Sequence, residues 1–242
     1  MKKAFPILAV LTALLLAYAF YEAMWIAPTE RTMGDVQRIF YYHVPSAWTA
    51  FILFFVNFAA SVTYLARKNL KADAVALVSA EVGVVFCTVV LVTGPIWARP
   101  VWGIWWTWDL RLTLTLVLWL IYVSYLILRR FSDSAQTPKL AAVLAIFGAL
   151  DVPLVYFSIW FFRTQHPQPV IGGGGSIDPR MLHVLLINWL AFSCFAFLVC
   201  WARYRVEMLK RDVEEAEALE SLLEPGATAA ARIKVPLSGD SR

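Results

Sequence analysis

Two residue types in this chain have the chemistry to hold a metal inside a flat organic ring. The first is histidine, present at His43, His166 and His183. Imidazole nitrogen is a common ligand for iron, zinc and copper. The second is tryptophan. Five of the eleven indoles fall in the single run from Gly94 to Thr113: Trp97, Trp102, Trp105, Trp106 and Trp108. Arg99, Asp109 and Arg111 sit among them. A flat conjugated macrocycle needs aromatic or apolar faces, basic groups for its carboxylates, and one or two axial ligands for its metal. His43, His166, the tryptophans, Arg99 and Arg111 make up that set, with His183 as an alternative second ligand. An aromatic belt at a helix end is the plainer reading, since tryptophan favours the membrane–water boundary. A belt accounts for one or two indoles, but poorly for five in one short connection. The run is therefore read as a flat aromatic platform. Asp109 is expected to pair with Arg111 or Arg99, or to accept an indole N–H, and so fix its shape. A helix-start role for Asp109 competes with that reading.

Membrane helices must position these side chains. The chain has 242 residues, 60% hydrophobic and only 16% charged, against about 25% charged in a soluble domain. Six apolar runs, at approximately 5–25, 47–66, 74–95, 112–129, 140–161 and 182–202, each offer about the 20 residues that cross the hydrocarbon as a helix. The expected fold is an all-α integral membrane protein of six transmembrane helices, with one membrane domain over 1–205. A cytoplasmic tail over 206–242 is expected to be helical, then disordered. The basic head and apolar body of MKKAFPILAVLTALLLAYAF imitate a signal peptide, but its apolar length favours an uncleaved first span.

Lysine and arginine set the orientation. Twelve cations gather on one side: Lys2, Lys3, Arg67, Lys68, Lys71, Arg129, Arg130, Lys139, Arg203, Arg205, Lys210 and Arg211. Six lie on the other: Arg31, Arg38, Arg99, Arg111, Arg163 and Arg180. Both termini are thus expected in the cytoplasm, with the tryptophan run facing outward. His43 follows Phe40, Tyr41 and Tyr42 and precedes Pro45, near the outer mouth of the second span. His166 lies in an outward loop where Pro167, Pro169 and Gly172 to Gly175 oppose regular helix.

Several function classes are excluded. The basic residues cluster at helix ends rather than in one patch, which argues against nucleic acid as a partner. Cys87, Cys194 and Cys200 form no C-x-x-C pair, and no outward acidic or cysteine cluster suits zinc or calcium. The glycine run lacks phosphate-loop spacing. No internal repeat suggests an inverted-repeat transporter. Nothing resembles a nucleophilic triad, so no enzyme activity is expected. Asp151 and Glu81 lie inside spans, where a carboxylate costs roughly 2.5–3.5 kcal/mol on insertion scales. Each must face protein, water or a partner, and each is read as a protonated hydrogen-bonding group.

The segment Trp102-Gly103-Ile104-Trp105-Trp106-Thr107-Trp108-Asp109-Leu110-Arg111-Leu112-Thr113 resembles the tryptophan-rich signature of the haem-handling proteins of cytochrome c maturation. Gly94 to Pro100, Tyr41 to Ala47, Thr164-Gln165-His166 and Ser176-Ile177-Asp178-Pro179 match the same family's other motifs. Six spans and this length look like the haem exporter protein C family, also called cytochrome c-type biogenesis protein C. The resemblance covers about residues 30–200. It implies haem b held between His43 and His166, which leaves His183 structural. It implies a site on the periplasmic side of the bacterial inner membrane. It also implies three sets of partners: the haem chaperone called maturation protein E, the two ABC transporter proteins (haem exporter proteins A and B), and the small single-span haem exporter protein D. Trp102, Trp105, Trp106 and Trp108 would face the ring, and Arg99 and Arg111 are candidates for its propionates. Membrane lipid is the remaining expected contact. The glycine-rich insert after His166 departs from the family pattern.

Two rival readings differ in kind. An ABC exporter permease for a hydrophobic substrate needs a coupling helix in a cytoplasmic loop, and RKNLKAD and RRFSDSAQTPK are short for that. A b-type electron-transfer cytochrome places its histidines within helices in the membrane core, whereas these are expected at loop edges.

Overall fold

The computed structural model describes residues 4–132, 134–162, 164–168 and 177–223. Helix α1 spans Ala4–Tyr21 and continues as a π-helical turn, Glu22–Ile26. A short 3-10 turn, Asp35–Ile39, leads into α2, Phe40–Arg67. Then come α3 (Leu70–Trp102), α4 (Leu110–Phe131), α5 (Thr137–Ala149), α6 (Asp151–Phe161) and α7 (Pro179–Leu223). Among the described residues there is no strand. Six helical stretches are long and apolar enough to cross a membrane, α5 and α6 together forming the fifth.

The local reasons for these boundaries are visible in the residues. Lys68, in the left-handed conformation at φ 52°, ends α2, and its N–H bonds to the carbonyl of Tyr64. Asn69 then caps α3 by accepting from the N–H groups of Lys71 and Ala72, which lack partners within the helix. So short a turn makes α2 and α3 antiparallel neighbours. They approach closely because small residues line the seam, as membrane helices require. A Cβ added at Gly83 would sit 2.7 Å from the ring of Phe54. The freed space lets Phe54 bury completely and stack on Tyr122 of α4, centroids 3.8 Å apart. Around that stack lie Leu118, Tyr125, Ala145 and Val155, the main buried core.

Three boundaries differ from the sequence expectation. Helix α2 begins at Phe40 rather than near 47, so His43 is helical and not in a loop. Arg38 donates to the carbonyl of Ala23 at 2.7 Å and pins this start to the end of α1. Helix α3 runs on to Trp102, with Pro95 and Pro100 inside it, so the first half of the tryptophan run is helix. The fifth span is broken at Leu150. Pro153 has no N–H to offer the carbonyl of Ala149, and the helix restarts with Asp151 in its first turn.

Asp151 is buried, and its Oδ2 has no partner among the described residues. Glu81 departs from expectation: it pairs with Arg203 of α7 at 2.8 Å. That contact belongs to a larger cluster at the end of the bundle where α3 begins. Asp73 accepts from both Arg129 of α4 and Arg211 of α7, at 2.9 and 2.8 Å. Glu207 bridges Arg203 and Arg211. Helix α7 passes residue 205 without a break, and residues from 224 onward lie outside the described set.

Candidate functional site

At the opposite end of the bundle, His43 and His166 come together. Their ring centroids are 6.5 Å apart, with the planes tilted by 34°. His43 stands in the first turns of α2, and His166 stands in the non-helical segment between α6 and α7. Both are half-buried. Nδ1 of His43 lies 2.8 Å from Oγ1 of Thr93 on α3. Nδ1 of His166 lies 2.9 Å from the carbonyl oxygen of Pro167. A carbonyl only accepts, so His166 donates from Nδ1 and, when neutral, carries its lone pair on Nε2. Burial first, and then the guanidinium of Arg111, push the pKa of His166 down to about 4, against the raising effects of the Pro167 carbonyl and Asp109. At neutral pH its imidazole is uncharged.

Asp109 does not pair with Arg99 or Arg111 among the described residues. It caps α4, its Oδ1 accepting the N–H of Leu112 at 3.0 Å, so the helix-start role holds. Its other oxygen accepts from Thr164 at 2.8 Å and from Thr107 at 3.3 Å. Thr164 in turn accepts the N–H of His166 at 3.1 Å. Asp109 thereby ties the His166 segment to the start of α4. Hydroxyls win this carboxylate because both arginines are engaged elsewhere. Arg111 reaches the carbonyls of Val155 and Tyr156 on α6, each at 3.5 Å. Arg99 folds onto the carbonyl of Gly103 at the end of its own helix. Gly103 sits at φ 78°, the left-handed cap that glycine takes without strain.

The indoles do not form one flat sheet. Trp97 and Trp102 meet edge to face at 5.1 Å and 84°, and Trp106 and Trp108 at 5.7 Å and 76°. The ring quadrupole favours that arrangement over face-to-face stacking. The run presents edges and faces in alternation. Trp105 and Trp108 are the open ones, 59% and 76% exposed. Nε1 of Trp106 is buried without a partner among the described residues.

His183 lies apart from this group. It lines a cleft of about 410 Å³ with Glu22, Ile26, Pro179, Arg180 and Val184, none of them from the tryptophan run. Arg163, the four glycines and Ser176 fall outside the described residues. Sequence reasoning passed over Thr93, one residue before the Gly94 motif, and quoted Thr164 without a role. What the assembled groups offer is metal ligation beside aromatic surface. Among the described residues, no cluster of three histidine, cysteine, aspartate or glutamate side chains competes as a metal centre.

A family model described as heme exporter protein C matches residues 1–219. The chain belongs to that family. It is similar to a heme exporter protein C of Bradyrhizobium diazoefficiens, 35% identical over 219 residues, covering 89% of this chain and 83% of the relative. The heme exporter protein C of Escherichia coli K12 is 34% identical over 196 residues, or 80% and 77% of the two chains. A putative cytochrome c biosynthesis ccmC-like mitochondrial protein of Marchantia polymorpha is 34% identical over 185 residues, or 76% and 78%. The family is one of haem-transport components rather than of enzymes.

Proposed function

We propose that this multi-pass membrane protein holds haem b between His43 and His166 and passes it to the haem chaperone, maturation protein E, for cytochrome c assembly. Family membership supports haem delivery in cytochrome c biogenesis as the general role. The observation that carries the finer reading is the histidine pair. Two imidazoles sharing one metal through bonds of roughly 2 Å each have ring centres about 6 Å apart. The rings of His43 and His166 stand 6.5 Å apart although 123 positions of sequence separate them.

The remaining residues take roles consistent with their places. Trp102, Trp105, Trp106 and Trp108 supply apolar faces and edges around the ring. Arg111 and Arg99 are the cations at hand for propionates. Asp109 is no ligand; through Thr164 it keeps the His166 segment in reach. Haem is the cargo and brings its own iron, so the chain supplies grip, orientation and release. The site faces the periplasm of the bacterial inner membrane and both termini are cytoplasmic, as the lysine and arginine distribution supports. The ABC transporter proteins A and B and the single-span haem exporter protein D work alongside it, and membrane lipid surrounds it. The helical setting of His43 removes one argument against a b-type electron-transfer cytochrome. The non-helical setting of His166 keeps the other.

The test is spectroscopic. Protein purified from haem-producing cells is expected to show a haem spectrum that His43→Ala and His166→Ala each weaken or alter, while His183→Ala changes little. Unchanged spectra in both of the first two variants eliminate the ligation.

A further inference from the structure

The two histidines are held by different means. Thr93 has one hydroxyl proton, and it is already committed. Its Oγ1 lies 2.7 Å from the carbonyl oxygen of Val89, one turn earlier on α3, and a carbonyl has no proton to give. Thr93 therefore meets His43 as an acceptor, at 2.8 Å from Nδ1. The hydrogen is on Nδ1, and the neutral ring keeps its lone pair on Nε2.

We infer that Thr93 is a positioning residue for His43, and that it makes His43 the retained axial ligand and His166 the exchanged one. This rests on the haem ligation proposed above. The chain Val89 carbonyl, Thr93 hydroxyl, His43 imidazole crosses from α3 to α2, the most extensively packed pair of helices in the bundle. An acceptor on Nδ1–H fixes the tautomer and ring orientation and raises the basicity of the other nitrogen. The Nδ1 partner of His166 is the carbonyl of the next residue in the same non-helical segment. That partner travels with the ring when the segment moves. Among the described residues, the bond from Thr164 to Asp109 ties the stretch that carries His166 to the start of α4. Displacing the segment breaks one neutral-donor hydrogen bond, whereas displacing His43 requires separating two packed helices.

The experiment is a series at position 93 in the full-length, haem-loaded protein: Thr93→Ser, Thr93→Val and Thr93→Ala. Haem affinity by hemin titration, midpoint potential and melting temperature are recorded for each. The expected order follows the hydroxyl. Ser behaves as wild type, while Val and Ala lose affinity on the order of 10–100-fold and shift the midpoint upward, because a less basic imidazole stabilises ferric iron less. An order that follows side-chain volume or melting temperature overturns the inference, as does Thr93→Val with wild-type affinity and midpoint. The asymmetry has its own arm: His166→Ala keeps haem on one imidazole, and His43→Ala loses it. Equal retention in those two variants also overturns it. Failure of the ligation itself reads differently, as a wild-type spectrum that neither histidine variant changes.

Discussion

At one end of the bundle Asp73, Glu81 and Glu207 face Arg129, Arg203 and Arg211 and tie α3, α4 and α7 together by charge. At the other end two imidazoles are held by hydroxyls and carbonyls, through Thr93, Thr164 and Asp109. The strengths differ in kind. Removing one partner from a buried ion pair costs about 3–5 kcal/mol, because the remaining charge is left uncompensated. A hydrogen bond between neutral groups contributes about 0.5–1.5 kcal/mol, and one to a carboxylate such as Asp109 about 1.5–3 kcal/mol. One end is thus clamped, and the other is assembled from contacts weak enough to be remade. A protein that must grip a cargo and then release it needs both, and this chain keeps them a helix length apart.

The sharpest break of the comparison is expected from His43→Ala. Haem co-purification falls at least about tenfold, in line with losing a metal ligand, while the melting temperature of the haem-free protein stays near wild type. A large fall in that melting temperature would mean that the histidine end also carries the fold. Next in size is Asp73→Ala, which leaves two arginines without their shared carboxylate. Its expected cost is about 3–5 kcal/mol in denaturant unfolding, with the haem spectrum of the folded fraction unchanged. A changed spectrum would join the two ends into one unit.

Acid should separate the ends as well. The pKa of His166 is about 4 in the fold against an ordinary 6.5. Between those values the unfolded chain binds more protons than the folded one, so stability rises with pH across that window and is lost as pH falls through it. Melting of the haem-free protein from pH 7 down to 4 is expected to show that decline, and His166→Gln to flatten it. An unaltered slope in the variant rules out this group as its source. The smallest effect is expected from Thr164→Val. It removes one hydrogen bond to the Asp109 carboxylate and costs about 1.5 kcal/mol, the low end for a bond to a charged group, read as a loss of haem affinity of about tenfold. Combined with Asp109→Asn it should be non-additive, since both act through one contact.

Much of this arrangement was legible in the residues. Six apolar runs gave six spans, and the histidine and tryptophan motifs, scattered along the chain, converge at one end of the bundle. The misreadings share one cause: partners distant in sequence. Glu81 looked like an isolated carboxylate because Arg203, across 122 positions, gives no local sign of facing it. Asp109 offered a local cap, which can be read from spacing, and a bond to Thr164, which cannot. The third span runs on past its expected end near residue 95. Pro95 and Pro100 sit inside α3, where tertiary packing overrides the lost bonds, while Pro153 does break the fifth span.

That break gives the fifth span a lever. Helix α6 has eleven residues, about 16 Å of rod. Its inner tip rests on the interruption at Leu150, and its outer tip leads straight into the stretch of chain that carries His166. A pivot of about 10° at the inner tip sweeps the outer one by about 3 Å, longer than a metal–nitrogen bond of roughly 2 Å. If His166 binds iron as proposed, a small rotation at Leu150 is enough to open that bond.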